Sequence, residues 1–278
     1  GSRVTIVARS GLLRGYEPEL GATLSEVFAA EGIEVLANTR TDGVSGNSQG
    51  VAVTVETPTA GRILRAQRLL AATGRRPNTD DLGLDQIGVE LDADGYVVVD
   101  AELRTKVAHV WAAGDVIGGQ HGSQMATPVG ARQGRIVAEN AFKGARRRVD
   151  HEVIPRAIFT DPPIGVVGLT EAEVKAKHFP AVSATTPLKY VPRAGAIHRP
   201  EGFVKMIAST IDERILGVHM IGESAAEVIH EAAMAMHFKA TIDDFIDLIH
   251  VYPTMSEALK IGAQAFRKDV TKLSCCAE

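Results

Sequence analysis

The chain opens on a β-branched run, Val4-Thr5-Ile6-Val7-Ala8, which predicts a buried strand. After a polar turn, Pro18 begins a segment in which Leu20, Leu24, Val27 and Phe28 recur at helical spacing, with Gly32 as its C-cap. Ile33-Glu34-Val35-Leu36 resumes a strand. Strand, helix and strand with short joints is the βαβ pattern of a parallel sheet. Residues 41–72 read as β-rich, with a turn from Thr41 to Gly50, an alternating strand at 51–55, and pairing strands at 62–65 and 69–72. Further strands are predicted at 96–100 and 109–113, and a helix from Met125 to Lys143 with Pro128 in its first turn. Beyond residue 150, Thr170 and Glu173 form a capping box for a helix reaching Lys177. Strands at 203–208 and 215–221 follow, then a helix over 222–237 whose small apolar face is Ala225, Val228, Ile229, Ala232 and Ala233. The pattern of this last part supports an α+β arrangement.

Composition narrows the classes. A chain of 278 residues buries a sizeable core and usually holds more than one domain. A net charge of −4 leaves no electrostatic footprint for nucleic acid, and Arg146-Arg147-Arg148 reads as a solvated connector. No window is apolar enough to span a membrane, and the start lacks the apolar core of a secretory signal. Two cysteines without a disulfide framework fit a reducing cytoplasm.

Those cysteines, Cys275 and Cys276, are adjacent and nearly terminal. A disulfide between neighbours closes a strained ring and clips no loop. The pair is either an incidental frayed end or a ligand for a soft metal ion on a swinging arm. His109, His121, His151, His178, His198, His219, His230 and His237 show no metal-ligand spacing and read as packed or surface residues. Met234 and Met236 read as core or interface filler.

Dinucleotide-binding sheets open with a strand, a G-x-G-x-x-G turn and a helix, and that turn does not occur here in such a context. The chain therefore reads as the C-terminal portion of a longer protein, beginning at the second strand of the unit. At the end of that strand, where an acidic residue would select NADH, stand Ala8 and Arg9. A guanidinium pairs bidentately with a 2′-phosphate, so the pair points to NADPH, the alternative being a surface charge. Gly74 ends an apolar run in a turn where backbone can approach a ligand. Gly114-Asp115 places a carboxylate at a predicted strand end, in the ligand crevice of an α/β sheet.

Three motifs carry a resemblance. Ala-Ala-Thr-Gly-Arg-Arg-Pro-Asn at 71–78, Ala-Ala-Gly-Asp at 112–115 and Met-Ala-Thr-Pro-Val-Gly-Ala-Arg-Gln-Gly at 125–134 resemble, in this order, the flavin disulfide reductases. The resemblance implies that Gly114-Asp115 binds FAD, with Asp115 as the binding carboxylate, and that backbone around Thr127 lies against the flavin. It implies that Gly74 and the strand end at Ala8 touch the nicotinamide cofactor. Residues 154–170 resemble the start of the family's interface domain, which makes a homodimer. The fold class implied is α/β with α+β. A partial Rossmann-like NAD(P)H domain would span 1–78, a segment of the FAD domain 79–149, the interface domain 150–268 and a Cys-Cys tail 269–278.

His250-Val251-Tyr252-Pro253-Thr254-Met255-Ser256-Glu257 resembles the family's His-x-His-Pro-Thr-x-Ser-Glu motif. In dihydrolipoamide dehydrogenase the second His is a general base and the Glu orients it. Tyr252 replaces that His here, and a phenol with a reference pKa of about 10 is a poor base at neutrality. Tyr252 together with the terminal cysteines resembles the mercuric reductase branch of the family. That resemblance implies Hg(II) as substrate, taken by Cys275 and Cys276 from small-thiol complexes and passed across the dimer, with Tyr252 assisting. Reduction to Hg(0) would use NADPH and FAD. The receiving cysteine pair and the first FAD-binding glycines do not occur in these residues, so the chain by itself is expected not to reduce Hg(II) and to retain FAD weakly. Another flavin disulfide reductase, or a non-catalytic dimerisation and metal-binding module, are the alternative readings.

Overall fold

The computed structural model describes residues 1–119, 124–149, 151 and 153–272. The described residues form two compact units. One comprises Gly1–Leu69 with Glu152–Glu278, the other Leu70–His151.

The first unit begins with β1 (Thr5–Val7), α1 (Pro18–Ala30) and β2 (Glu34–Leu36), and β1 pairs with β2 in parallel. Gly32 stands just past the helix with φ +79°, the left-handed conformation in which glycine carries no Cβ penalty. An antiparallel sheet follows from β3 (Arg40–Asn47), β4 (Gly50–Glu56) and β5 (Gly61–Ala66). Its first strand lies where the composition predicted a turn. Glycines, Ser45 and Asn47 have little strand preference, but full pairing with β4 supplies their hydrogen bonds, with a register shift between Thr41 and Gly43. Only the short link after Asn47 turns, closed by the Gln49 N–H donating to Asn47 Oδ1 at 2.8 Å.

The same unit contains a five-stranded sheet built from β6 (Arg156–Ile158), β7 (Ile164–Gly168), β8 (Ala181–Pro187), β9 (Phe203–Ser209) and β10 (Ile215–Ile221). The spatial order is β6-β7-β10-β9-β8 and every pairing is antiparallel. Every residue of β9 and β10 is buried, because both faces of the sheet are covered. Val204, Met206 and Ala208 face α5 (Ala225–His237) and α7 (Glu257–Gln264), in a core that takes in all five positions of the predicted apolar face of α5. Gly165 of β7 lets α5 sit close, since a Cβ there would lie 2.2 Å from the Ala225 carbonyl oxygen. On the opposite face, Phe203, Ile164, Val166 and Ile221 pack with Leu20 and Leu24 of α1. Each fully buried leucine of this kind contributes about 1.5–3 kcal/mol.

Lys205 of β9 sits within the buried sheet with its side chain 2% exposed. Its ammonium donates to Glu17 at 2.6 Å, Glu19 at 2.7 Å and Glu171 at 2.9 Å. Glu171 opens α3 (Glu171–Ala176), and its backbone N–H donates to the other oxygen of Glu17 at 2.6 Å. Burial alone would lower the lysine pKa; the three carboxylates outweigh it and hold the ammonium charged. The predicted capping box of Thr170 and Glu173 is present in both directions.

The second unit packs α2 (Thr127–Lys143) against an irregular region, with Val89, Val97, Leu103, Ile117 and Ile136 at its core. The predicted strands at 69–72, 96–100 and 109–113 do not form. Among the described residues Val97 and Trp111 make only isolated bridges, to Leu91 and Arg104, and Leu70 is 88% exposed. An apolar run becomes a strand only when a neighbouring ladder takes up its N–H and C=O groups.

Candidate functional site

The flavin-type residues lie in the second unit. Ala113 is extended, and Gly114 turns at φ +80°, outside the comfortable range of a side chain. The N–H of Gly114 donates to Oε1 of the buried Gln133 on α2 at 2.8 Å. Gly130, on the same helix, stands so near that its added Cβ would meet Gly114 Cα at 3.4 Å. This contact sets the Gly114-Asp115 turn beside the first turn of α2, where Thr127 is the first residue. The N-cap position is Ala126, which has no side-chain oxygen, so no side-chain cap closes this helix start.

Gly74 has φ +114° and open space around it, so backbone conformation and not crowding requires glycine. Next to it, Arg75 Nη1 reaches Asp115 Oδ2 at 3.3 Å. The four residues Gly74, Gly114, Asp115 and Thr127 thus belong to one neighbourhood. It offers an exposed carboxylate for a hydroxyl and uncapped N–H groups for anionic or carbonyl oxygens, a donor set that fits part of a flavin dinucleotide.

Ala8 and Arg9 belong to the first unit. The Ala8 N–H donates to Leu36 O at 3.0 Å, and its carbonyl accepts from Thr39 at 2.9 Å, which completes the end of β1. Arg9 follows with its side chain exposed, where a guanidinium fits a phosphate.

Tyr252 is also in the first unit, on the segment between α6 (Ile242–Asp247) and α7, and is 53% exposed. Glu257, matched to the carboxylate that orients a catalytic base, here accepts from the backbone N–H of Thr254 at 3.0 Å. A different imidazole–carboxylate pair holds the segment. His250 Nε2 lies 2.8 Å from Glu231 Oε1 of α5, and His250 Nδ1 lies 3.2 Å from the Leu248 carbonyl. The His250 side chain is 5% exposed and that of Glu231 29%. The bond to Glu231 raises the imidazole pKa above its usual value, against the opposing effect of burial. Cys275 and Cys276 lie outside the described residues.

Sequence reasoning missed three pairings: His250 with Glu231, Gly114 with Gln133, and Lys205 with the glutamates. Gln133 and His250 stand inside the motifs, but neither has a local partner to reveal its role. Glu231 is separated from His250 by a helix end and all of α6, so no sequence spacing signals it.

Two family models match the chain. The pyridine nucleotide-disulphide oxidoreductase model matches residues 1–134, and the dimerisation domain of the same family matches residues 154–263. Over its whole length the chain is similar to proteins named mercuric reductase, 41% identical to that of Streptomyces lividans and 36% to that of Staphylococcus aureus. It covers 58% and 50% of those proteins, and so spans about half the length of these relatives. LpdA of Mycobacterium tuberculosis superposes with a TM-score of 0.84 at 27% identity, over 96% of this chain and 57% of that one. A Cu(II) complex of the HOCl-induced flavoprotein disulfide reductase RclA of Escherichia coli superposes with a TM-score of 0.83 at 27% identity, over 95% and 58% respectively. Those matches, with the Gly114-Asp115 turn set against α2 and the five-stranded sheet beyond it in sequence, place the chain in the pyridine nucleotide-disulphide oxidoreductase family.

Proposed function

We propose that this chain is part of an NADPH-dependent mercuric-ion reductase. Residues 1–78 contribute to the NADPH site, 79–149 to the FAD site, 150–268 to a homodimer interface and 269–278 to a metal-carrying tail. The observation that carries the reading is Tyr252, exposed at the position where a dithiol-exchanging relative needs an imidazole base. A phenol does not take up protons near neutrality, so the site suits metal-ion transfer better than dithiol oxidation. The mercuric reductase relatives, similar over the whole chain, support the same choice of substrate.

Arg9 would hold the 2′-phosphate of NADPH, with Ala8 at the strand end giving the ribose room, and Gly74 of the second unit would contribute a separate backbone contact to the nicotinamide cofactor. Asp115, Gly114 and Thr127 would hold the flavin, and bound FAD would relay the two electrons of the NADPH hydride to Hg(II). The products are Hg(0), NADP⁺ and a proton. Cys275 and Cys276, as thiolates, would take Hg(II) from small thiols by stepwise ligand exchange and deliver it across the dimer, with Tyr252 assisting. Cytoplasmic thiol pools supply such complexes, and among the described residues no helix is long and apolar enough to cross a membrane.

The test is NADPH-dependent release of Hg(0) by the natural full-length protein. Release is expected, and Cys275→Ala/Cys276→Ala should weaken capture of Hg(II) from a small-thiol complex. A full-length protein that binds FAD yet releases no Hg(0), or unchanged capture in the double variant, would reject the reading.

A further inference from the structure

Both ring nitrogens of His250 face acceptors. Nε2 meets the Glu231 carboxylate at 2.8 Å and Nδ1 meets the Leu248 carbonyl at 3.2 Å. A carboxylate and a carbonyl cannot donate, so a neutral imidazole satisfies only one of them. The ring satisfies both only when it carries two protons. Lys260 of α7 donates to the same Leu248 carbonyl at 3.5 Å, and its charge opposes that of the imidazolium. Glu231 and Lys260 are the charged side chains that face the ring from α5 and α7 among the described residues.

The neighbours of His250 point the other way. Ile249 is 90% exposed, Val251 76% and Tyr252 53%, whereas the His250 side chain is 5% exposed. The imidazole is therefore the inward anchor of an outward-facing segment. Its second anchor is the Thr254 N–H, held by Glu257 at 3.0 Å. Tyr252 lies midway between the two anchors.

We propose that His250 is a positioning residue, an imidazolium clamped between the Leu248 carbonyl and the Glu231 carboxylate, which sets Tyr252 for its part in metal-ion transfer. The clamp is closed while the ring holds both protons. When His250 loses one, a ring nitrogen faces an acceptor without a hydrogen and that side opens. The bond to Glu231 raises the imidazole pKa above its ordinary value, so the clamp stays closed to a higher pH than a free imidazole would allow and opens as the pH rises. The role for Tyr252 rests on the mercuric-ion reading above; the clamp itself does not.

The test uses the chain with ¹³C-labelled tyrosine and histidine, Tyr252 being assigned by loss of its signal in Tyr252→Phe. The Tyr252 resonance should show an inflection at the pH where His250 titrates, above the ordinary imidazole value. Glu231→Gln keeps the size of the side chain and removes its charge, and should lower both midpoints by about one pH unit or more. A Tyr252 signal that ignores the titration of His250, or a His250 midpoint unmoved in Glu231→Gln, would overturn the clamp. Should that variant not fold, the pH series on the unsubstituted chain decides the matter by whether the two signals move together. In the natural full-length protein, the rate of Hg(0) release should fall on the alkaline side with the same midpoint, and Glu231→Gln should shift that limb equally. An unshifted limb overturns the positioning role. A full-length protein that reduces no Hg(II) leaves the spectroscopic result standing and rejects the functional reading instead.

Discussion

Lys205 and His250 are both basic groups held by carboxylates from distant parts of the chain, and the two sets respond to pH in opposite directions. The Lys205 knot has three acidic partners and a side chain 2% exposed. The His250 clamp has one carboxylate and one carbonyl. In the knot, Glu171 is pulled below the usual carboxylate range by hydrogen bonds from Ser183 and Lys205. Glu19 is pushed up by burial and pulled down further by Lys205. Groups with depressed pKa values stabilise the fold above their unfolded pKa of about 4.3, and that stabilisation is lost as the pH falls through the folded values. His250 has a raised pKa, so its contribution is complete below about 6.5 and is lost as the pH rises through the folded value. The knot is thus constant over physiological pH, as a structural tie should be. The clamp instead loosens as the pH rises through the raised His250 value, a change that a site can use.

Removing one member of each set is the direct way to break this contrast. Lys205→Met should have the largest effect, because it leaves the buried Glu17 carboxylate without its cation. A loss of about 3–5 kcal/mol is expected, nearly independent of pH from 6 to 9, in urea unfolding at a series of pH values. A loss confined to one side of neutrality would show that the knot is not the tie described here.

His219 provides a control on the same sheet. Burial depresses its pKa, and Nε2–H donates to the Leu169 carbonyl at 2.9 Å, so the ring is neutral. Its contribution is present above the unfolded value of about 6.5 and fades as the pH falls below it, the opposite of His250. His219→Leu should cost about 1 kcal/mol by leaving a part-buried carbonyl without its donor, and should flatten the acid limb of the stability profile. An unchanged acid limb would remove His219 from the account.

Glu231→Gln should cost about 1 kcal/mol at pH 6, allowing for the partial exposure of Glu231, and less at pH 9. Equal losses at both values would make Glu231 a packing residue. The smallest effect is expected at Arg267, which joins Glu213 and Asp243 on the surface. Arg267→Ala should cost no more than about 1 kcal/mol, and high salt should erase most of the difference.

Much of the fold is legible along the chain because its causes are local. Residues 215–221 alternate between two covered faces and bound β10 to the residue. Thr170 and Glu173 cap α3 through hydrogen bonds spanning three positions. The motifs at 112–115 and 125–134 locate the turn that packs on α2, since glycine is required at Gly114 by a positive φ that is written into the residue type. The apolar runs at 69–72, 96–100 and 109–113 mislead for the converse reason. Strand formation needs a partner at a distance, and among the described residues they make no ladder. The opposite error at residues 40–47 has the same origin, because β4 supplies the pairing that glycine, serine and asparagine do not favour by themselves.

The sequence by itself determined the family, the kinds of cofactor its motifs suit, and Tyr252 in place of a histidine base. Each depends on residue identity over a few consecutive positions. Tertiary structure alone decided which charges meet. Glu17 and Lys205 lie 188 positions apart, and Glu231 and His250 lie 19 apart, so no periodicity connects either pair. Charge pairing at such separations depends on how α1 and α5 pack on the two faces of one sheet, and packing follows from buried apolar area, which carries no information about the polar residues it brings together.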